Sequence, residues 1–278
     1  MRTRASADLS QLSDDDFFVE IANGMHKVLN NASTLADDAR HLFEEKRSRS
    51  ASLLLAVASE EAAKYHILLD AVRCERNTTA MIRQLKRFND HLAKGLYARY
   101  VSIAPASFEE VLNFLRRERE TLFLDGPNDV DWIFRNRVLQ DREEVFYVDY
   151  VEAAGEHLWL EPSPLLTIGT RFPESRPLVL ATRFSRAGFD NPAALRVIAE
   201  IWRGVDFAPE DHWQKCHERN IRTLTELDER SLLSRVSAQE RVSLAWDWLF
   251  PLHSADLAPI KIERHDLEQQ QRDWYPGD

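Results

Sequence analysis

From Ser13 to Arg73 the chain keeps a helical spacing of apolar residues almost without a break, and this limits the fold more than any other feature. Phe18, Ile21, Met25, Val28, Leu29, Leu35, Ala39 and Phe43 recur at three- and four-residue steps, which turns one face of a helix inward. Ser13 before Asp14, Asp15 and Asp16 supplies an N-cap and puts acids in the first turn, where the helix dipole favours them. Gly24 or Asn30–Asn31 is the expected place for a bend. The polar connection Lys46–Ser50 is short, so a second helix over Ser48–Arg73, with Leu54, Val57, Leu68 and Ala71 on its stripe, is expected to run antiparallel to the first. Alanines at 39, 51, 56, 58, 62, 63 and 71 allow a close approach of the pair.

The same period continues. Ile82, Leu85, Phe88, Leu92 and Leu96 predict one third helix over Ala80–Tyr100, and the capping box Ser107 with Glu110 opens a fourth that is expected to end near Leu124. Eight glycines and eleven prolines in 278 residues agree with long helices. The pattern changes at DGPND from Asp125, a turn signal. Strands are predicted near 145–151 and 156–161, with a second extended pair around 166–172 and 178–184. Helix returns at Asn191–Pro192 and runs to Arg203, then from Pro209 to about Arg235, and from Ser237 with Glu240 to about Phe250. The tail from Pro259 is charged and expected at the periphery. The fold class is therefore mainly α, divided as a helical bundle over 1–125, a mixed segment with a β-hairpin over 126–190, and a helical C-terminal region over 191–278.

Two cysteines, Cys74 and Cys216, and an N-terminal stretch without an apolar core lead to the expectation of a reducing, cytoplasmic setting. The longest apolar runs, such as Leu53–Ala58, are far short of the ~20 residues that a membrane helix needs, so no membrane association is expected. A net charge of -10 argues against a general nucleic-acid binder. Arg73, Arg76, Arg83, Lys86, Arg87, Lys94 and Arg99 nevertheless lie together against only Glu75 and Asp90, which suits one selective anionic partner.

Titratable groups fall where burial is expected. Glu61 and Lys64 lie on the apolar stripe of the second helix, and Arg87, His91 and Lys94, four and three apart, lie along the edge of the third. A buried carboxylate must find a cation or shift its pKa. The plain alternative is that Glu60 and Lys64 form an ordinary i,i+4 surface pair. His212, Cys216 and His217 have helical spacing able to hold zinc, but Cys216 shares an apolar face with Trp213, Leu224 and Leu227, so no metal is expected. Phe146, Tyr147, Tyr150 and Trp159 of the hairpin are expected in the core, with Asp149 as a structural hydrogen-bond acceptor. There is no phosphate-binding loop, dinucleotide fingerprint or nucleophile elbow, and no cofactor is expected.

The run Asn30–Arg73, with Glu60, Glu61 and Lys64 matching an EE-x-x-K signature, resembles the opening helix pair of the AbiV-like abortive-infection proteins, a branch of the HEPN superfamily. FNDHLAK, with Phe88, His91 and Lys94, is similar to that family's phenylalanine-containing stretch ending in His-x-x-Lys, and Tyr147-Val148-Asp149-Tyr150 followed by Trp159 and Pro162 to its extended aromatic segment. The likeness spans roughly residues 28–165. It implies a helical bundle that often dimerises and, in many HEPN members, metal-independent endoribonuclease activity with an Arg four to six residues before a His. This chain departs from that spacing: Arg87 and His91 are separated by three residues, Arg83 and His91 by seven, and only Lys86 by four.

The resemblance thus implies a phage-defence effector acting on RNA or the translation machinery. His91 would serve as acid or base, Arg87 and Lys94 would stabilise the phosphorane, and Glu61 would orient one of them. Glu60 and Lys64 would give support, and Arg83, Lys86 and Arg99 would hold RNA. A homodimer would bring two copies of His91 together, and a phage or neutralising protein is a further conceivable partner. The alternative is a non-catalytic interaction or RNA-binding module that uses the basic third helix.

Overall fold

The computed structural model of the chain describes residues 4–121, 123–124, 132–133, 136–153, 156–162, 172–234, 236–263, 265–266 and 269. Helix α1 (Asp14–Glu44) starts where Ser13 Oγ accepts from the backbone N of Asp16 at 3.2 Å and continues without interruption through Gly24 and Asn30–Asn31. Its antiparallel partner α2 (Ser48–Arg73) makes the most extensive helix–helix contact among the described residues. Ala32, Ala36 and Ala39 on one side and Ala51, Ala58, Ala62 and Ala63 on the other are buried, and small side chains permit that approach.

The expected single third helix is in fact two. Helix α3 (Thr79–Lys86) runs into a 3-10 turn at Arg87–Asn89, and α4 (His91–Tyr100) begins afresh. Asp90 is the cause: its backbone is extended, with φ -92° and ψ 123°, and its carboxylate accepts from Ala93 N at 3.1 Å. An aspartate that bonds its own downstream backbone favours a cap over a helix interior, and here it outweighs the apolar period on both sides. Arg87 therefore points elsewhere than a single helix would aim it.

Helix α5 (Phe108–Arg119) ends short of Leu124, where the two-residue strands β1 (Phe123–Leu124) and β2 (Trp132–Ile133) pair antiparallel. Helix α6 (Arg137–Phe146) follows, occupying part of the range expected to be strand. Asn136 starts it, accepting from Val138 N and Leu139 N while its amide donates to the carbonyls of Glu118 and Glu120. The hairpin itself, β3 (Asp149–Ala153) and β4 (Glu156–Leu160), pairs Tyr150 with Trp159 and begins four residues later than expected. Every residue of β4 is exposed, and Tyr147, Tyr150 and Trp159, the last at 69%, face solvent instead of the core.

Residues 178–184, expected as strand, lie in helix α7 (Arg176–Arg186). Pro177 occupies its first turn, where a missing N–H is harmless, and Leu180, Ala181 and Phe184 form its buried face. The turn at Asp125 and most of the partner strand expected over 166–172 lie outside the described residues. Helices α8 (Pro192–Trp202), α9 (Trp213–Glu229) and α10 (Ala238–Asp247) complete the chain, the last with the expected capping box. Among the described residues no helix is long and apolar enough to cross a membrane. The protein is mainly α, and one buried cluster running from Phe17 to Leu257 draws on all three stretches set apart in the sequence.

That cluster contains a length of non-helical chain. After α10, residues 248–258 pack against the core, with Trp248, Phe250, Leu252, Ala255 and Leu257 buried and Ser254, Asp256 and Ala258 exposed. Their main-chain groups find side-chain partners on α2, α4 and the α3–α4 region. Leu252 N donates to Asp70 Oδ2 at 2.8 Å. The carbonyls of Leu249, Phe250, Leu252 and His253 accept from Arg73, Tyr100, Arg87 and Arg83 at 3.1, 3.0, 2.7 and 3.3 Å, and Ala255 O accepts from Arg87. Beyond it Ile260 pairs with Glu120, so the start of the charged tail is tied to the end of α5.

Two outcomes follow from this packing. A Cβ on Gly95 of α4 would overlap Val138 Cγ1 of α6, so Gly95→Ala should lower stability by about 1–3 kcal/mol despite the better helix propensity of alanine, and adding Val138→Ala should recover most of it in thermal melts. His66, whose Nε2 donates to Pro177 O at 2.9 Å, and His253 are buried, and desolvation lowers the pKa of both. The unfolded chain then takes up protons near pH ~6.5 that the folded chain refuses, so stability is present above that pH and is lost as pH falls through it toward the depressed folded values. Melting temperature should drop between about pH 7.5 and 5.5, and His66→Gln should flatten part of that slope.

Candidate functional site

The centre of the site is Glu60. It lies on α2 beside Ser59 and Glu61, in a helix packed through buried alanines against α1. Its Oε2 lies 3.0 Å from Nδ1 of His91, the first residue of α4, and 3.2 Å from Nζ of Lys94 one turn further on. Its Oε1 lies 3.0 Å from Nε of Arg142 on α6. One carboxylate thus gathers an imidazole, an ammonium and a guanidinium from two other helices. The Asp90 cap places His91 at the start of α4, and the close approach of Gly95 to Val138 places α6.

Exposure differs sharply across the group. The Lys94 side chain is 7% exposed and Glu60 18%, whereas His91 is 46% exposed. The imidazole is the most exposed member, ahead of Arg142 at 28%. Lys94 Nζ is also 3.3 Å from His91 Nδ1, so Nδ1 has two alternatives: as N–H it donates to Glu60, and as a lone pair it accepts from Lys94. In the first tautomer Nε2 offers a lone pair, and in the second it offers a proton. The Glu60–Lys94 ion pair persists in both.

The other residues singled out in the sequence are placed as follows. Glu61 points to Asn31 Nδ2 at 3.0 Å and to Lys64, whose ammonium also sits 5.0 Å over the Phe88 ring. It belongs to a neighbouring pair and does not touch His91 in the described contacts. Glu60, expected only as support, holds the position expected of Glu61. Arg87 is buried, bonded to Gln84 Oε1 at 2.7 Å and to the carbonyls of Leu252 and Ala255, so it does not join His91. Arg99 is taken by Glu118 and Asp141. Arg83 bonds His253 O, and Lys86 is exposed. Arg142 was not among the sequence candidates. The signal for it was Asn136 as a cap followed by Val138 and Val145 seven apart, which places Arg142 on a helix.

His212 and Cys216 do not form a metal site. His212 is the residue before α9 and turns to Gln214, while Cys216 is buried against Trp248 O, with its thiol pushed up to about 12 by desolvation. Among the described residues no group of three or more His, Cys, Asp or Glu side chains is arranged to hold a metal.

The model of the HEPN_AbiV family, described as AbiV, matches residues 20–168, more than half of the chain and the part that contains Glu60, His91, Lys94 and Arg142. The chain belongs to the AbiV family. It is an abortive-infection protein of the HEPN type. No curated protein and no solved structure matches it.

The carboxylate hub also carries a stability consequence in this AbiV chain. Glu60→Ala leaves the Lys94 ammonium buried without its partner and should cost about 2 kcal/mol in denaturant unfolding, below the ~3–5 of a fully enclosed pair. Glu60→Ala with Lys94→Met should regain more than half of the loss, whereas Glu61→Ala with Lys94→Met should show simple additivity.

Proposed function

We propose that this AbiV protein acts on RNA as a metal-independent endoribonuclease, with His91 as the proton-transfer group. The observation that carries the reading is a half-exposed imidazole whose Nδ1 is held by a carboxylate. Cleavage of an RNA phosphodiester without metal needs a base for the ribose 2′-OH, an acid for the leaving 5′-oxygen and positive charge near the phosphorane. Nε2 of His91 takes the 2′-OH proton while Nδ1–H donates to Glu60, which then stabilises the imidazolium. Lys94 and Arg142 set the local positive charge and fix Glu60, and Lys86 is the exposed cation nearest in sequence for a flanking phosphate. One copy brings one imidazole to this place. A two-fold dimer through the bundle would bring a second, one as base and the other as acid.

Purified protein and its variants, incubated with cellular RNA and scored for cleavage and for growth arrest on expression, test this directly. His91→Ala is expected to lose at least about 100-fold in cleavage with an unchanged circular dichroism spectrum. Glu60→Gln is expected to lose less and to shift the pH–rate profile. If His91→Ala cleaves RNA and arrests growth like the parent, proton transfer by His91 is refuted and the rival reading, a non-catalytic RNA- or protein-binding module, stands.

A further inference from the structure

Between Glu143 and Thr170 the sequence carries six acidic residues and no lysine or arginine. The hairpin β3–β4 lies inside that run, just after α6. An antiparallel strand with one wet face alternates apolar and polar residues. In β4 that alternation is lost: Leu158 and Leu160 fall on one face and Trp159 on the other, and all three are exposed. Tyr150 stands opposite Trp159, with ring centroids 4.8 Å apart. The hairpin therefore shows solvent an aromatic face on one side and an aliphatic one on the other.

The edge is open as well. The sheet has two strands, and among the described residues no further strand pairs with the outer side of β4. Two strands alone are marginal in water, and an edge is usually guarded by lysine, proline or a bulge. Between Glu156 and Leu160 there is no lysine and no proline, and the register to β3 runs without a bulge. A third strand would pair its main chain with β4 and lay alternate side chains over the two exposed faces.

Charge decides what that strand carries. Glu156 and Glu161 bracket Trp159 and its neighbours, and both are exposed. The phosphates of RNA would meet like charge here, with no lysine or arginine in the run to offset it. A second copy would bring the same carboxylates and a further net charge of -10. A cationic side chain gains from both features, lying over the Trp159 and Tyr150 rings and reaching the flanking carboxylates. We propose that β4 is the docking edge for an extended segment of another protein in which arginine or lysine alternates with aliphatic residues. The cations lie on the Trp159 face, and the aliphatic side chains cover Leu158 and Leu160. This surface works independently of proton transfer at His91.

Calorimetric titration of the full-length protein with synthetic octapeptides tests the proposal. A peptide alternating arginine and valine is expected to bind with a Kd below about 100 µM. Its fully N-methylated form keeps the charge and loses the N–H donors, and an arginine–glycine peptide of equal charge loses the aliphatic row. Each should bind about tenfold more weakly or worse. Trp159→Thr should weaken the arginine–valine peptide at least about tenfold, and Glu156→Gln with Glu161→Gln at least about fivefold, with unchanged circular dichroism spectra. His91→Ala should leave the affinity unchanged, so this proposal and the catalytic one fail separately. Failure of the arginine–valine peptide to bind below that limit, equal affinity for the arginine–glycine peptide, or full retention of affinity in Trp159→Thr would overturn it. Binding of a single-stranded RNA hexamer, or a dimer in sedimentation, that Trp159→Thr abolishes would also overturn it, giving the edge to RNA or to a second copy.

Discussion

An irregular segment inside a helical core can persist only if its peptide groups are satisfied there, and residues 248–258 impose that demand on the rest of this protein. Asp70, Arg73, Arg83, Arg87 and Tyr100 meet it, from α2, α3, α4 and the turn between them. Asp70 also accepts from Tyr97 at 2.7 Å and from Arg73 at 3.1 Å, and Gln84 links Tyr97 to Arg87. The Arg73 guanidinium packs beside Trp202 and Trp248, 4.0 and 4.3 Å from their centroids, and its Nε and NH2 meet no acceptor among the described residues. Burial holds the Tyr97 hydroxyl far above its usual pKa, so it stays a donor to Asp70. A connected, buried network of this kind fixes where α3 and α4 lie relative to α2.

The helix pair at the start, the Ser107 cap, the capping box at Ser237 and the proline-led α8 were legible because each is local, whereas Glu110 reaches back to Ala106 N and leaves the box expected at Ser107 open. What escaped was decided at long range or by competition. Val145–Val151 has strand composition, but Asn136 and the fit of Val138 against Gly95 draw its first residues into α6. Residues 178–184 have the same composition and form α7 because Leu180, Ala181 and Phe184 meet a core built by segments far away in sequence. The basic run Arg73–Arg99 looked like a face for anions. Three of its arginines instead serve carbonyls of a chain segment more than 160 positions later, a partner that no spacing rule can name.

The site follows from the same competition. Asp90 ends the apolar period of the third helix, and in doing so separates Arg87 from His91 and brings the imidazole to Glu60. Of two adjacent glutamates, the one off the expected stripe meets α4 and α6, because two further helices cover that side of α2. His91 and Lys94 were readable as a pair four residues into a motif, whereas Arg142 required knowing that α6 exists. The exposed aromatic hairpin that follows α6 was expected in the core, and no side chain of β4 is buried there.

The segment 248–258 lies outside residues 20–168, the part that carries the family match, yet Asp70, Arg73 and Arg87 within that part are buried against it. Until those residues leave the ribosome, the growing polypeptide holds three ionic groups over an unfilled gap, a state that disfavours closure of the first helices. Synthesis order therefore makes the placement of α2, α3 and α4 depend on residues added long after them, and a product cut before residue 248 would lack the acceptors that hold Arg73, Arg83 and Arg87.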